Sequence, residues 1–193
     1  MTRLTRAALA ACALALAAAP ARAGLLPVSV TITPEADKFR WTYAIVLPTD
    51  SQLVAGDYFT IYDFGGLVSG SATAPDGWSV LVDKPNSTPA RLNPQDDTSI
   101  PNLTFTYSGP TITGQLGLGN FWASSSSGQS SASFFTARTH RTSDGRVDSN
   151  ITETTVPVPV APPSGVPEPA TLALAGLGLP LLALTRAARR GRK

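Results

Sequence analysis

His140 is the only histidine in the 193-residue chain, so an imidazole base or metal ligand has one candidate position. It stands in Arg138-Thr139-His140-Arg141-Thr142, a polar stretch read as a loop. A Ser-His-Asp relay needs an activated serine, yet no Gly-x-Ser-x-Gly elbow occurs, and the histidine sits among cationic neighbours. Asp96-Asp97 and Asp144-Gly145 with Asp148 offer the oxygens that calcium takes, but not at calcium-loop spacing, so they read as solvated turn acids. Two carboxylates make a glycosidase pair only when they face each other across a cleft, which spacing along the chain does not reveal. Trp78 and Trp122 have faces suited to stacking on pyranose rings, or to filling a core. Ser124 to Ser127, with Ser130, Ser131 and Ser133, read as a flexible surface loop, with a sugar-facing or glycan-bearing loop as the functional alternative. Asn86, Asn102 and Asn150 begin glycosylation sequons. No catalytic residue, metal ligand or cofactor is expected, and the protein is read as not an enzyme.

The elements that would position these residues are strands. Residues 24–151 show period-two alternation, as in Val28, Val30, Ile32 and then Phe39, Trp41, Tyr43, Ile45, Leu47. Pro34-Glu35-Ala36-Asp37-Lys38 reads as the turn of a hairpin between these two runs. Further strands are expected at 57–64, 78–82, 103–107, 111–118 and 133–138, with a weaker one near Asn150. The expected fold is all-β, an antiparallel β-sandwich or jelly-roll-like domain. Its core is read as Trp41, Tyr43, Phe59, Ile61, Leu103 and Phe105. Gly114, Gly117 and Gly119 lack phosphate-loop spacing and read as a bulge or bend.

Charge is segregated: three Arg in residues 1–23 and four Arg with one Lys in 186–193 leave 7 basic against 12 acidic residues in 24–165, a net of −5. A middle segment so short of Lys and Arg disfavours binding to nucleic acid, which needs clustered cations against phosphates. All 14 Phe, Trp and Tyr lie between Phe39 and Phe135, so the two ends have a different purpose.

Residues 1–23 read as a signal peptide that forms a signal helix. Arg3 and Arg6 precede an Ala- and Leu-rich run, and Ala21-Arg22-Ala23 places small residues at the positions a signal peptidase inspects, so cleavage would leave Gly24 first. Leu9-Ala10-Ala11-Cys12 resembles a lipobox, but the apolar run continues past Cys12. Without residues 1–23 the chain has no cysteine, which removes disulfides and thiol chemistry. Residues 152–165 are rich in proline and read as a polyproline-type linker that acts as a stalk.

At the other end, Pro169 to Thr185 is an uncharged run of 17 residues, followed by Arg186, Arg189, Arg190, Arg192 and Lys193 as a basic stop. A helix of that length spans about 25 Å, and snorkelling Arg side chains extend it toward the hydrocarbon thickness, so a single transmembrane helix is expected. Val166, Pro167, Glu168 and Pro169 stand just before it. The three-part arrangement of residues 166–193 resembles the PEP-CTERM sorting signal. That resemblance implies a Gram-negative bacterium that makes exopolysaccharide, with the tail processed by an exosortase, a membrane transpeptidase. The chain is therefore expected to be exported, transiently anchored through its C-terminal helix, and delivered to the cell envelope, surface or extracellular matrix. The expected role is a non-enzymatic structural protein associated with exopolysaccharide; the alternatives are a carbohydrate-binding module and a secreted hydrolase.

Glu168→Ala should leave export intact while impairing tail processing, because the apolar run and basic stop still insert while the extended Pro-flanked motif is altered. Comparing the membrane-retained size of wild type and variant in the native host checks this. Identical processing would reduce the tail to an ordinary anchor.

Overall fold

In β2 (Lys38–Leu47), aromatic and β-branched residues alternate with polar ones, and Trp41, Tyr43, Ile45 and Leu47 all turn inward. The computed structural model describes residues 24–83 and 88–159. The chain divides after Val160, and the second unit lies outside the described residues, as do the expected signal helix and transmembrane helix. Among the described residues the structure is all-β, with antiparallel sheets and no α-helix.

The remaining strands are β1 (Leu26–Glu35), β3 (Ser51–Leu53), β4 (Tyr58–Ile61), β5 (Trp78–Asp83), β6 (Asn102–Tyr107), β7 (Ile112–Thr113), β8 (Leu116–Ser125), β9 (Ser130–Arg141) and β10 (Val147–Pro157). One sheet has the order β1-β2-β8; the other runs β5-β6-β4-β9-β3-β7, with β10 also paired to β9. The expected hairpin is present: Glu35 pairs with Lys38, leaving Ala36 and Asp37 as the turn.

A single core cluster draws residues from both sheets, including all six expected core residues, each fully buried. Phe59 of β4 stacks on Phe105 of β6 at 4.9 Å and on Phe135 of β9 at 5.2 Å. Phe121, from the three-stranded sheet, meets this row edge-on, 4.8 Å from Phe59 and 5.2 Å from Phe105. Edge-to-face rings add about 0.5–1.5 kcal/mol beyond the area they bury. Trp78 belongs here too, packed on Phe59, Tyr107 and Phe121. Trp122 faces the other way, with the Arg40 guanidinium 4.5 Å from its ring centroid.

The register along β9 is interrupted once. Gln52 pairs with His140 and Tyr58 with Arg138, so Leu53–Asp57 stand opposite Thr139 alone. This large bulge closes on itself: Asp57 N donates to Val54 O (3.0 Å), Val54 N donates to Asp57 Oδ2 (2.9 Å), and Gly56 takes a φ of 92° that favours glycine. Its far side is tied to β6 by Gly56 N to Tyr107 O and Tyr107 N to Asp57 O, both 2.8 Å.

Three expectations change. Residues 111–118 are two strands rather than one, because Gly114 (φ 91°) turns the chain between β7 and β8. The expected bulge in this glycine-rich stretch is present: Ala44 pairs with Asn120 but Val46 with Gly117, and Gly119 has a φ of 92°. Ser124 and Ser125 are not in a surface loop but buried at the end of β8, where Ser125 Oγ donates to Gly65 O at 2.7 Å. The third concerns the domain boundary drawn after residue 151, which falls inside β10. Prolines hid this strand's end, yet an edge strand tolerates Pro157 because it need not donate to a ladder.

Ending the chain at 151 instead of 159 should destabilise the domain. It would remove buried Val156 (1% exposed) and the Thr155 carbonyl that accepts from the Tyr43 hydroxyl at 3.0 Å. The loss is about 3–5 kcal/mol, a melt lower by roughly 10 °C or more. Asp57→Ala should cost about 3 kcal/mol, since it orphans Val54 N–H and unpairs His140, whereas Asp57→Asn, which keeps an acceptor, should cost less. Thermal melts followed by circular dichroism check both; an unchanged melt for Asp57→Ala would show that the bulge needs no carboxylate.

Candidate functional site: a groove lined by two arginines

The bulge places a carboxylate beside the one imidazole. Asp57 is fully buried and its Oδ2 lies 3.0 Å from His140 Nδ1, while Oδ1 has no hydrogen-bond partner. His140 is thus not in a loop: it stands near the end of β9, its side chain 18% exposed. The expected cationic surroundings are offset by a carboxylate that only folding brings near, from 83 residues away. Among the described residues no hydroxyl hydrogen-bonds the His140 ring, so the pair has an orienting acid and a base but no nucleophile.

Alternate residues on a strand share a face, so Arg138 lies on the same outer face of the larger sheet as His140. Register aligns Tyr58, Arg138 and Ser149 in one row across β4, β9 and β10. The segment after residue 87 returns over this face, fastened where Tyr62 Oη and Thr88 Oγ1 meet at 2.8 Å. Between them lies a groove of ≈ 760 Å³ lined by Tyr58, Arg138, Val147, Asp148 and Ser149 on one side and Pro89, Ala90, Arg91 and Leu92 on the other. That volume falls in the range of about 300–1,000 Å³ typical of ligand clefts.

Arg138 Nη1 reaches Gly56 O at 3.4 Å, and no ion pair to a carboxylate joins either Arg138 or Arg91 among the described residues. Arg91 also has a backbone φ of 73°, a conformation costing roughly 1 kcal/mol or more in a non-glycine residue. Burial raises the Tyr58 phenol pKa, an effect the nearby Arg138 opposes, so Tyr58 stays a neutral donor with an apolar ring. Asp148 accepts from Ser149 N at 3.0 Å. The groove thus presents two guanidiniums, the Tyr58 ring and hydroxyl, and the Asp148 carboxylate, groups that can meet an anion, a sugar face and sugar hydroxyls. Neither arginine carries a signal in the sequence, since only the sheet register and the returning loop place both on one groove.

Asp97 and Asp144 behave as turn residues, whereas Asp148 stands in β10 and lines the groove. Asp97 Oδ1 accepts from Ser99 N (2.9 Å) and Ser99 Oγ (2.7 Å), which holds its carboxyl below the usual range. Asp144 pairs with Arg141 at 3.0 Å. No cluster of three or more His, Cys, Asp or Glu suited to a metal ion occurs among the described residues. Two sequon asparagines are buried with their amide nitrogens engaged: Asn102 Nδ2 donates to Asp96 Oδ1 (2.8 Å) and Asn150 Nδ2 to Leu25 O (2.9 Å). Asn86 lies outside the described residues.

The processing residues are distributed differently. Gly24 is buried at the start of the described domain, whereas Ala21, Ala23, Val166 to Pro169 and the basic stop from Arg186 to Lys193 lie outside the described residues. Comparison with family models matches residues 165–193 to the PEP-CTERM protein-sorting motif. Comparison with curated proteins and with solved structures gives no match. The tail from 165 to 193 is thus a PEP-CTERM protein-sorting motif, and it marks the chain as an exported protein, transiently membrane-anchored and sorted by an exosortase.

Proposed function

We propose that the domain ahead of the sorting tail is a non-enzymatic component of the cell envelope or extracellular matrix that associates with exopolysaccharide, held in a β-sandwich scaffold. Signal peptidase would release it from residues 1–23, and the exosortase would complete its delivery. The observation carrying this reading is the groove: two arginines without acidic partners line it although residues 24–165 carry a net charge of −5. A guanidinium takes carboxylate with bidentate geometry, and Tyr58 offers a ring for a sugar face. The favoured ligand is therefore an acidic, carboxylate-bearing polysaccharide. A secreted hydrolase is the second reading, supported by the Asp57–His140 pair and weakened by the missing nucleophile.

The exported protein should bind a uronate-containing polysaccharide in preference to a neutral glucan. Arg91→Ala should weaken that binding about tenfold with an unchanged melt, and added salt should weaken it further. Equal retention of acidic and neutral polymers, unaffected by Arg91→Ala, would sink the proposal. Reducing-end release that disappears in His140→Ala would make the hydrolase the better account.

A further inference from the structure

Gly24 and Asn150 meet at the corner where the described domain begins. Gly24 and Leu25 are buried, and the Asn150 side chain is 5% exposed. Asn150 Nδ2 donates to Leu25 O at 2.9 Å, but its Oδ1 is buried without a hydrogen-bond partner. A Cβ built on Gly24 would collide with that oxygen and lie 2.6 Å from Asn150 Cγ. Only glycine fits, and the direction closed to carbon is aimed at an unused acceptor.

While Gly24 is joined to Ala23, its nitrogen is a secondary amide whose single N–H is fixed by the backbone. Hydrolysis of the Ala23–Gly24 bond adds one water, leaving a carboxylate on Ala23 and an ammonium with three donors on Gly24. The freed nitrogen can turn about the Gly24 Cα–C bond toward Asn150 Oδ1 and stop at hydrogen-bond distance, short of the position where a Cβ would collide. We propose that the Asn150 carboxamide is a built-in site for the α-ammonium created at Gly24, so that leader removal completes the hydrogen bonding of this corner. Asn150 then grips both ends of the residue pair, the carbonyl of Leu25 through Nδ2 and the terminal amine through Oδ1. The fold makes one demand at position 24, that no Cβ be present, and glycine meets it. The inference rests on cleavage after Ala23.

The test uses full-length chain exported by a Gram-negative host. Intact mass first reports the N-terminus; a start other than Gly24 would remove the natural occupant and so refute the processing reading itself. With Gly24 confirmed, an α-amine-selective aldehyde is applied to native and urea-unfolded protein, and labelling of the N-terminal peptide is followed by mass spectrometry. The native amine should react about tenfold more slowly or less, and Asn150→Ala should lose most of that protection. Asn150→Asp, which keeps an acceptor at the same place, should retain it, and it serves if Asn150→Ala fails to fold. Wild type labelling at the unfolded rate would overturn the proposal, as would a folded Asn150→Ala with protection undiminished, since burial alone would then suffice.

Discussion

The edge-on contact between Phe121 and Phe59 is the junction on which the domain depends. Phe59 is already flanked within its own sheet by Phe105 and Phe135, stacked on both. Phe121 reaches it from the second sheet, and the opposite polarity of ring edge and face favours the T-shaped meeting seen at 87°. Aromatics bury large areas for few rotatable bonds, which matters in a domain with no disulfide to restrict its unfolded chain. Removing Phe59 would take one ring contact from each of four neighbours at once, and cavities of that kind cost about 3–5 kcal/mol.

Upon that junction the larger sheet can tolerate an irregularity that the groove requires. The Leu53–Asp57 bulge breaks the ladder between β9 and the strand formed by β3 and β4, and Asp57 offsets part of the loss by engaging Val54, His140 and Tyr107. A buried carboxylate without partners would carry a heavy desolvation cost, so its placement against a backbone donor and an imidazole is part of the same constraint. The bulge also delivers Gly56 O to Arg138, next to Tyr58. Structural irregularity and ligand-facing chemistry thus share one segment, as bulges near functional surfaces commonly do.

The two ends of the described domain are tied down by hydrogen bonds. Asn150 holds Leu25, while Gly65 N donates to Pro157 O at 3.1 Å and Val158 N to Gln129 O at 2.9 Å. Gly65 is irreplaceable there, because a Cβ would lie 2.6 Å from the Pro157 carbonyl oxygen. The serine cluster at the end of β8 serves this anchorage, binding the Gly65 and Gly66 carbonyls through Ser125 and Ser126. What composition suggested to be flexible is instead a hydrogen-bonded clasp, since short hydroxyl side chains satisfy backbone groups in tight quarters.

The sequence by itself determined the strand alternation, the six expected core positions, the β1–β2 hairpin and the sorting tail. Each depends on local pattern: period two shows which face is buried, and the tail's motif, apolar run and basic stop are contiguous. Tertiary structure alone decided the partnership of Asp57 with His140, the placing of Arg91 and Arg138 on one groove, and the meeting of Gly24 with Asn150. These pairs lie far apart along the chain, so register, a bulge and a returning loop set their distances, and none of those leaves a periodic signature. The extent of β10 was hidden for a related reason. Proline content argues against a strand in general, and only its position at a sheet edge, a property of the assembled fold, makes it harmless.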